Sequence, residues 1–258
     1  MRFMTFNLRH HADHWLDRLP LVVEMILQED PDVLALQEIS LEIEQVNQIL
    51  DIVNSNVKNP YQAVIEPKWS GHHREGIGFF SRIPFLETER LELPEGGRVA
   101  QRVTIMTDGG MINLYNTHLH HLPPFSESIR LTQIHHLLKW LRLQDQKGIA
   151  TILAGDFNAS PSSKTISVIL QEMISSYKSF HGCEPERTFP TPMLKVPYGP
   201  ATIDYIFLSP GDFQVHQARL TGTVPSKFDA NLYPSDHYGL LVELSLIDAP
   251  QDVKHETR

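Results

Sequence analysis

A single cysteine, Cys183, stands in the whole 258-residue chain. One thiol forms no internal disulfide, and no Cys-x-x-Cys or Cys/His spacing marks a structural zinc site. No base neighbours it in sequence, which sets aside a thiol nucleophile. Long apolar runs are missing too: none approaches the roughly 20 residues needed to span a bilayer, so no stable membrane insertion is expected. Met1–His10 lacks the charged start and apolar stretch of a signal peptide. These absences predict a cytoplasmic protein, although a mature secreted form whose signal had been removed would read the same. Runs of Lys or Arg are absent, and the formal charge is −9. That argues against the broad cationic footprint of a sequence-independent duplex binder. There is no low-complexity tract and no repeat of constant period, which excludes disorder and solenoids. Nothing in the pattern calls for an obligatory protein partner.

What is present suits one globular domain. Hydrophobic residues make up 41% of the chain, enough for a substantial core. Arg2–Leu8 alternates like a strand, Leu16–Leu27 has helical spacing, and Val33–Leu36 is a short apolar strand after the Asp30-Pro31 turn signal. A second helix is expected over Leu41–Val53. The pattern then turns β-rich, with strands at Tyr61–Glu66, Gly76–Phe80, Leu86–Leu93, Val99–Thr107 and Met111–His118. Ser126–Leu143 reads as a long helix, followed by a buried strand at Ile149–Ala154 and a helix after Pro161. Strands at Ile203–Leu208, Phe213–Leu220 and Gly239–Leu246 complete the series. Each half therefore reads as strands with covering helices, which predicts two packed sheets with helices outside. The domain spans 1–247, with a polar tail over 248–258.

Polar residues interrupt these strands at particular places. Asn7 and Glu38 each end an apolar strand. In Ala154-Gly155-Asp156-Phe157-Asn158 a carboxylate and an amide sit two apart, so on extended chain they point the same way; an Asx cap on the next helix would use the same residues. Asp204 lies inside an apolar strand and wants a partner, which His237 of Ser235-Asp236-His237-Tyr238 could supply, as could an unrelated buried pair. Four histidine doublets, at 10–11, 72–73, 120–121 and 135–136, would add positive charge below about pH 6.5. Solvated loops and helix faces are their simpler reading.

In order, Phe6-Asn7-Leu8-Arg9, Leu36-Gln37-Glu38, Asn116-Thr117-His118, Gly155-Asp156-Phe157-Asn158, Ile203-Asp204-Tyr205 and Ser235-Asp236-His237 resemble the motifs of the endonuclease/exonuclease/phosphatase superfamily. The likeness runs from Arg2 to about Leu246. It implies a DNase I-like α/β/β/α sandwich, α/β in class and four-layered, and divalent-metal-dependent hydrolysis of a phosphoester by in-line attack of water. It further implies that Glu38 binds Mg²⁺ or Mn²⁺ with help from Asn7 and Asp236. Asp204 would orient His237, Asp156 and Asn158 would sit at the scissile phosphate, and His118 would be the first catalytic histidine, with Glu75 beside it. Arg9 is either a phosphate contact or a surface residue. Arg130 and Gln133 recur in such proteins, although helix-surface polarity explains them more simply. The chain departs from the pattern at Ala201-Thr202 and Gly239, which leaves the subfamily open. The expected substrates are a small phosphodiester, a lipid headgroup or a short nucleic acid. Trp69, Phe125, Phe189, Tyr198 and Tyr233 are candidate rim aromatics, and Arg9, Arg74, Arg98 and Arg102 could gather on one face. A nuclease, or a non-catalytic binding protein of the same fold, are the alternatives.

Overall fold

Alternation along the strands dictates the architecture. In β1 (Arg2–Asn7) Phe3, Thr5 and Asn7 share one face, and Met4 and Phe6 share the other. A computed structural model describes residues 1–68, 75–121, 126–144, 148–195 and 199–247 of the chain. The elements that follow are α1 (Trp15–Glu29), β2 (Val33–Ser40), α2 (Gln45–Asn54), β3 (Gln62–Pro67), β4 (Glu75–Ser81), β5 (Phe85–Glu92), β6 (Val99–Thr107) and β7 (Gly110–His118). After them come α3 (Ser126–Gln144), β8 (Ala150–Asp156), α4 (Lys164–Ile169), β9 (Ile174–Ser175), α5 (Ser176–His181), β10 (Asp204–Leu208), β11 (Phe213–Thr221) and β12 (Gly239–Leu246).

Two six-stranded mixed sheets result, in the orders β11-β12-β1-β2-β4-β3 and β5-β6-β7-β8-β10-β9. Between them lies a core that includes Phe3, Val33, Ala35 and Phe79 from the first sheet and Val103, Leu114, Ile152 and Ile206 from the second. Each Val, Leu, Ile or Phe among them contributes roughly 1.5–3 kcal/mol when fully buried. The outer face of the first sheet carries Met4, Phe6, Leu34 and Leu36 against α1 and α2. That of the second carries Tyr115, Leu153 and Phe207 against α3 and α4. The helices bury the expected stripe: Ile134, Leu137, Leu138 and Leu141 of α3 are all inward. This is the four-layered α/β/β/α sandwich. No helix among the described residues is long and apolar enough to cross a membrane.

Several boundaries differ from the sequence expectations. Helix α2 begins at Gln45, because Leu41–Glu44 is a turn that ends with Glu44 at φ 51°. Strand β2 runs past Leu36 to Ser40, and β8 runs past Ala154 to Asp156. The short β9 and α5 were not anticipated. The expected polar tail lies outside the described residues.

Candidate active site

The inter-sheet faces turn from apolar to polar toward one end of the sandwich, without any change of phase along most strands. Ile112, Leu114, Asn116 and His118 alternate along β7, and Ile152, Ala154 and Asp156 along β8. Register does the rest: His118 and Asp204 are both paired with Asp156, from β7 and β10 on either side of β8. Asn7 comes from the facing sheet, and its Nδ2 donates to Asp156 Oδ2 at 3.1 Å.

Glu38 reaches this place by a bulge. The pairing of β2 with β4 slips between Leu36 and Ile39, and Glu38 adopts φ 51°. Leu36 and Ile39, three residues apart, therefore both face the helices, and Glu38 is the extra residue turned toward the site. The carbonyls at the slip are not left bare: Asn116 Nδ2 donates to Leu36 O and Gly78 O, both at 2.9 Å. Gln37 Nε2 in turn donates to Asn116 Oδ1 at 2.8 Å.

His118 Nε2 lies 3.5 Å from Asp156 Oδ2 and 3.8 Å from Glu38 Oε1, and its Nδ1 lies 3.8 Å from Glu75 Oε1. Burial and the nearby cations Arg98 and Lys68 push the His118 imidazole well below its usual range, which favours the neutral ring. Across Asp156 stands His237, whose Nδ1 is 3.0 Å from Asp204 Oδ2 and whose Nε2 is 4.0 Å from Asp156 Oδ2. Burial alone would lower this imidazole, but Asp204, Asp236 and Asp156 outweigh it and push it up to about 10. Asp156 is pushed up to about 7 by burial and then by Asp204. Burial, then repulsion from Glu75, raises Glu38.

Asp156 Oδ1 accepts the Asn158 N–H at 2.9 Å, and Asn158 Nδ2 donates to Leu119 O at 3.1 Å. The pair is thus an Asx turn, but it does not cap α4; Ser163 does, through its hydroxyl and Ile166 N–H. Arg9 is ion-paired with both Asp13 and Asp236, and its own N–H donates to Asn7 Oδ1 at 2.8 Å. Asp236 Oδ1 also accepts the Ser235 hydroxyl at 3.2 Å. All the expected site residues therefore lie in one cluster, with Asp236 facing Arg9.

Some expectations need correction. Gln133 is fully buried: it accepts from His120 N–H and donates to Pro94 O and Glu95 O, and so fastens the loop that follows His118. Arg102 lies on the outer face of its sheet, held by Glu87, Glu89 and Asn113, and cannot join Arg9. Arg98 is buried beside His121. Of the rim aromatics, Phe189 packs 4.8 Å from the His237 ring, and Tyr233 is buried against Tyr238. Trp69, Arg74, Phe125 and Tyr198 lie outside the described residues.

Two contributors carried no motif. Lys68 is ion-paired with Glu75. Arg18 is fully buried and donates to the carbonyls of Leu8, Arg9, His10, Ala12, Asp13 and Pro234. Its guanidinium thereby joins the loop after β1 to the segment that delivers Asp236 and His237. Desolvation lowers its pKa to about 10, which leaves it charged at neutral pH.

Oxygen donors dominate the cluster. Donor atoms of Glu38, His118 and Asp156 lie within 4.8 Å of one another. Both carboxylates are pushed toward protonation, which a divalent cation would reverse. The residues present thus fit a hard ion.

The profile of the Endonuclease/Exonuclease/phosphatase family matches residues 4–237. The chain belongs to this family. An inositol phosphosphingolipids phospholipase C of Schizosaccharomyces pombe is 30% identical over 200 residues, covering 69% of this chain and 44% of that protein. The chain spans about half the length of the curated relatives it matches. Among solved structures, the human Nocturnin catalytic domain with bound sulfate anion superposes with a TM-score of 0.77 at 25% identity, covering 96% of this chain and 94% of that one. Truncated Caenorhabditis elegans TDP2 gives 0.79 at 18% identity, covering 95% and 97%, which speaks for the fold alone.

Proposed function

We propose that this member of the family is a divalent-metal-dependent phosphodiesterase acting on compact phosphoesters, with a phosphorylated lipid headgroup as the leading substrate class. The observation that carries the reading is the convergence of Glu38, His118 and Asp156, with the buried Asp204–His237 pair on the far side of Asp156.

Glu38 would hold Mg²⁺ or Mn²⁺, with Asn7 and Asp236 as further contacts, and the ion would polarise a phosphoryl oxygen and neutralise developing charge. Asp156, which burial and neighbouring Asp204 bias toward holding a proton, is suited to take the proton of the attacking water. His237, raised to about 10, stays protonated and donates to a phosphoryl oxygen, with Asp204 fixing its ring. One Asn158 amide hydrogen is spent on Leu119 O, and the other is available to a second phosphate oxygen. Neutral His118 offers an uncharged ring nitrogen beside the same oxygens. The water–phosphorus bond forms as the ester bond breaks, and the leaving oxygen departs as an alcohol on taking up a proton.

The lipid-headgroup preference is supported by the named activity of the 30%-identical relative. It is also supported by the cations near the site, because Arg9, Lys68 and Arg98 are each engaged internally. A panel of bis-p-nitrophenyl phosphate, p-nitrophenyl phosphate, sphingomyelin, RNA and plasmid DNA, each with Mg²⁺ or Mn²⁺, tests it. Diesters and sphingomyelin should turn over fastest, and Glu38→Gln should lose the metal-dependent rate while remaining folded. Full activity of Glu38→Gln in EDTA would overturn the metal assignment, and preference for plasmid would overturn the substrate class.

A further inference from the structure

Beside the oxygen-rich cluster lies a second group of donors with different chemistry. His10 and His11 follow Arg9 in the loop after β1, and Glu42 sits in the turn between β2 and α2. One ligand atom from each lies within 4.8 Å of the other two. His11 Nε2 is 3.8 Å from Glu42 Oε2, and the two imidazole rings are 4.2 Å apart at 41°.

The backbone beneath them is pinned. Arg9 and His10 adopt φ 55° and 49°, a left-handed conformation that residues other than glycine seldom take unless held there. His10 N–H donates to Glu38 O at 2.8 Å, and His10 O accepts from Gln45 Nε2 at 2.7 Å and from Arg18 at 3.2 Å. Buried Gln45 also accepts the Ser40 N–H at 2.7 Å, so one side chain fixes both loops. His11 Nδ1 lies 2.8 Å from the hydroxyl of buried Ser40. When Nδ1–H donates there, Nε2 presents its lone pair toward Glu42, and this is how a metal-binding histidine is oriented by its outer partner.

We propose that His10, His11 and Glu42 form a second cation site, selective for a borderline transition metal such as Zn²⁺ and separate from the Glu38 cluster. Two imidazoles and one carboxylate with open positions suit Zn²⁺, whereas Mg²⁺ prefers an all-oxygen set. A bound ion clips the Arg9 loop to the turn that follows Glu38, bracing both without entering the reaction.

The test uses the full chain, stripped with chelator and then supplied with excess Mg²⁺ to fill the oxygen site. Zn²⁺ binding is followed by calorimetry, and Co²⁺ by visible absorption, which intensifies on leaving octahedral water. One Zn²⁺ equivalent should persist in Glu38→Gln and in a His135→Asn/His136→Asn control. Ser40→Ala should weaken it roughly 10- to 100-fold, the usual effect of losing an outer-shell partner. His11→Asn and Glu42→Gln should weaken it more, and Glu42 is exposed, so that variant tests the site without disturbing the core. Unchanged Zn²⁺ affinity in both His11→Asn and Glu42→Gln would overturn the site and leave a stacked surface pair. A Zn²⁺ equivalent that vanishes in Glu38→Gln but survives in Glu42→Gln would also overturn it.

Discussion

Gln37 and Asn116 come from opposite sheets, and the 2.8 Å hydrogen bond between them crosses the sandwich directly beneath the Glu38 bulge. Asn116 occupies the carbonyls of Leu36 and Gly78, so it sustains the slip in register that turns Glu38 toward the site. Asn116→Ala should cost about 1–3 kcal/mol for each buried group left bare, measured by urea unfolding. Its effect on rate should be larger, and should surface as a weaker Mg²⁺ dependence of kcat. Wild-type Mg²⁺ dependence in a destabilised Asn116→Ala would show that Asn116 only packs.

The Asp204–His237 pair predicts a second outcome. His237→Ala should lower kcat by roughly 10²- to 10⁴-fold, the range for a positioned acid or electrostatic group. Asp204→Asn should cost less in stability than in rate, and should shift the alkaline limb of the pH–rate profile toward neutrality, because the carboxylate holds the imidazolium near 10. Near-normal turnover by both variants would make the pair structural. The sign for stability follows the raised value: this contribution is complete below about pH 6.5 and fades as pH climbs through about 10.

Asp156 offers a contrasting case. Its folded value of about 7 lies above its ordinary 3.8, so its favourable contribution is present below 3.8 and is lost as pH rises through 7. In metal-free protein at about pH 8, Asp156→Asn should therefore raise the unfolding temperature, and with Mg²⁺ supplied the same variant should lose turnover. The gain should vanish near pH 3.8 and shrink when Mg²⁺ is added. Thermal melts at the two pH values, with and without the ion, check this; a lower melting temperature at the higher pH would contradict the assigned cost of burying this charge.

Much of this arrangement is legible in the residues themselves. Val99–Thr107 and Gly239–Leu246 carry unbroken strand patterns and fall where expected. Asn116 and His118 alternate in step with Ile112 and Leu114, so they announce themselves as polar positions on an apolar face. Strand ends were harder, since Gly155 and Asp156 look like loop residues until pairing with β7 and β10 is known. No local signal marks Glu38 for a positive φ, because the cause is a slip against β4. Lys68 and Arg18 stayed hidden because no motif surrounds them, and a lone polar residue on a helix, such as Arg18 or Gln133, reads as surface until the carbonyls it holds are folded against it.

Binding to long nucleic acid should be weak and steeply salt-dependent only if several phosphates are contacted, at about 0.9 log units of affinity per log unit of salt for each. Arg9, Lys68 and Arg98 are already paired or buried, so a shallow slope is expected. A salt series of kcat/KM on duplex DNA and a small diester measures it. Efficient duplex cleavage with a steep slope would return the chain to the nuclease reading.

The buried Arg18 also bears on how the molecule comes into being. Strand β1 is flanked by β2, made at once, and by β12, where Arg2 meets Glu243. At about 5–20 residues per second of synthesis, β1 waits on the order of tens of seconds for that second neighbour. Arg18 likewise has no Pro234 carbonyl to hold until the segment just before β12 has been made. A nascent chain lacking its last strand thus carries Asn7, Glu38 and Asp156 but no working catalyst, and activity should switch on in one late step as the two termini of the fold meet.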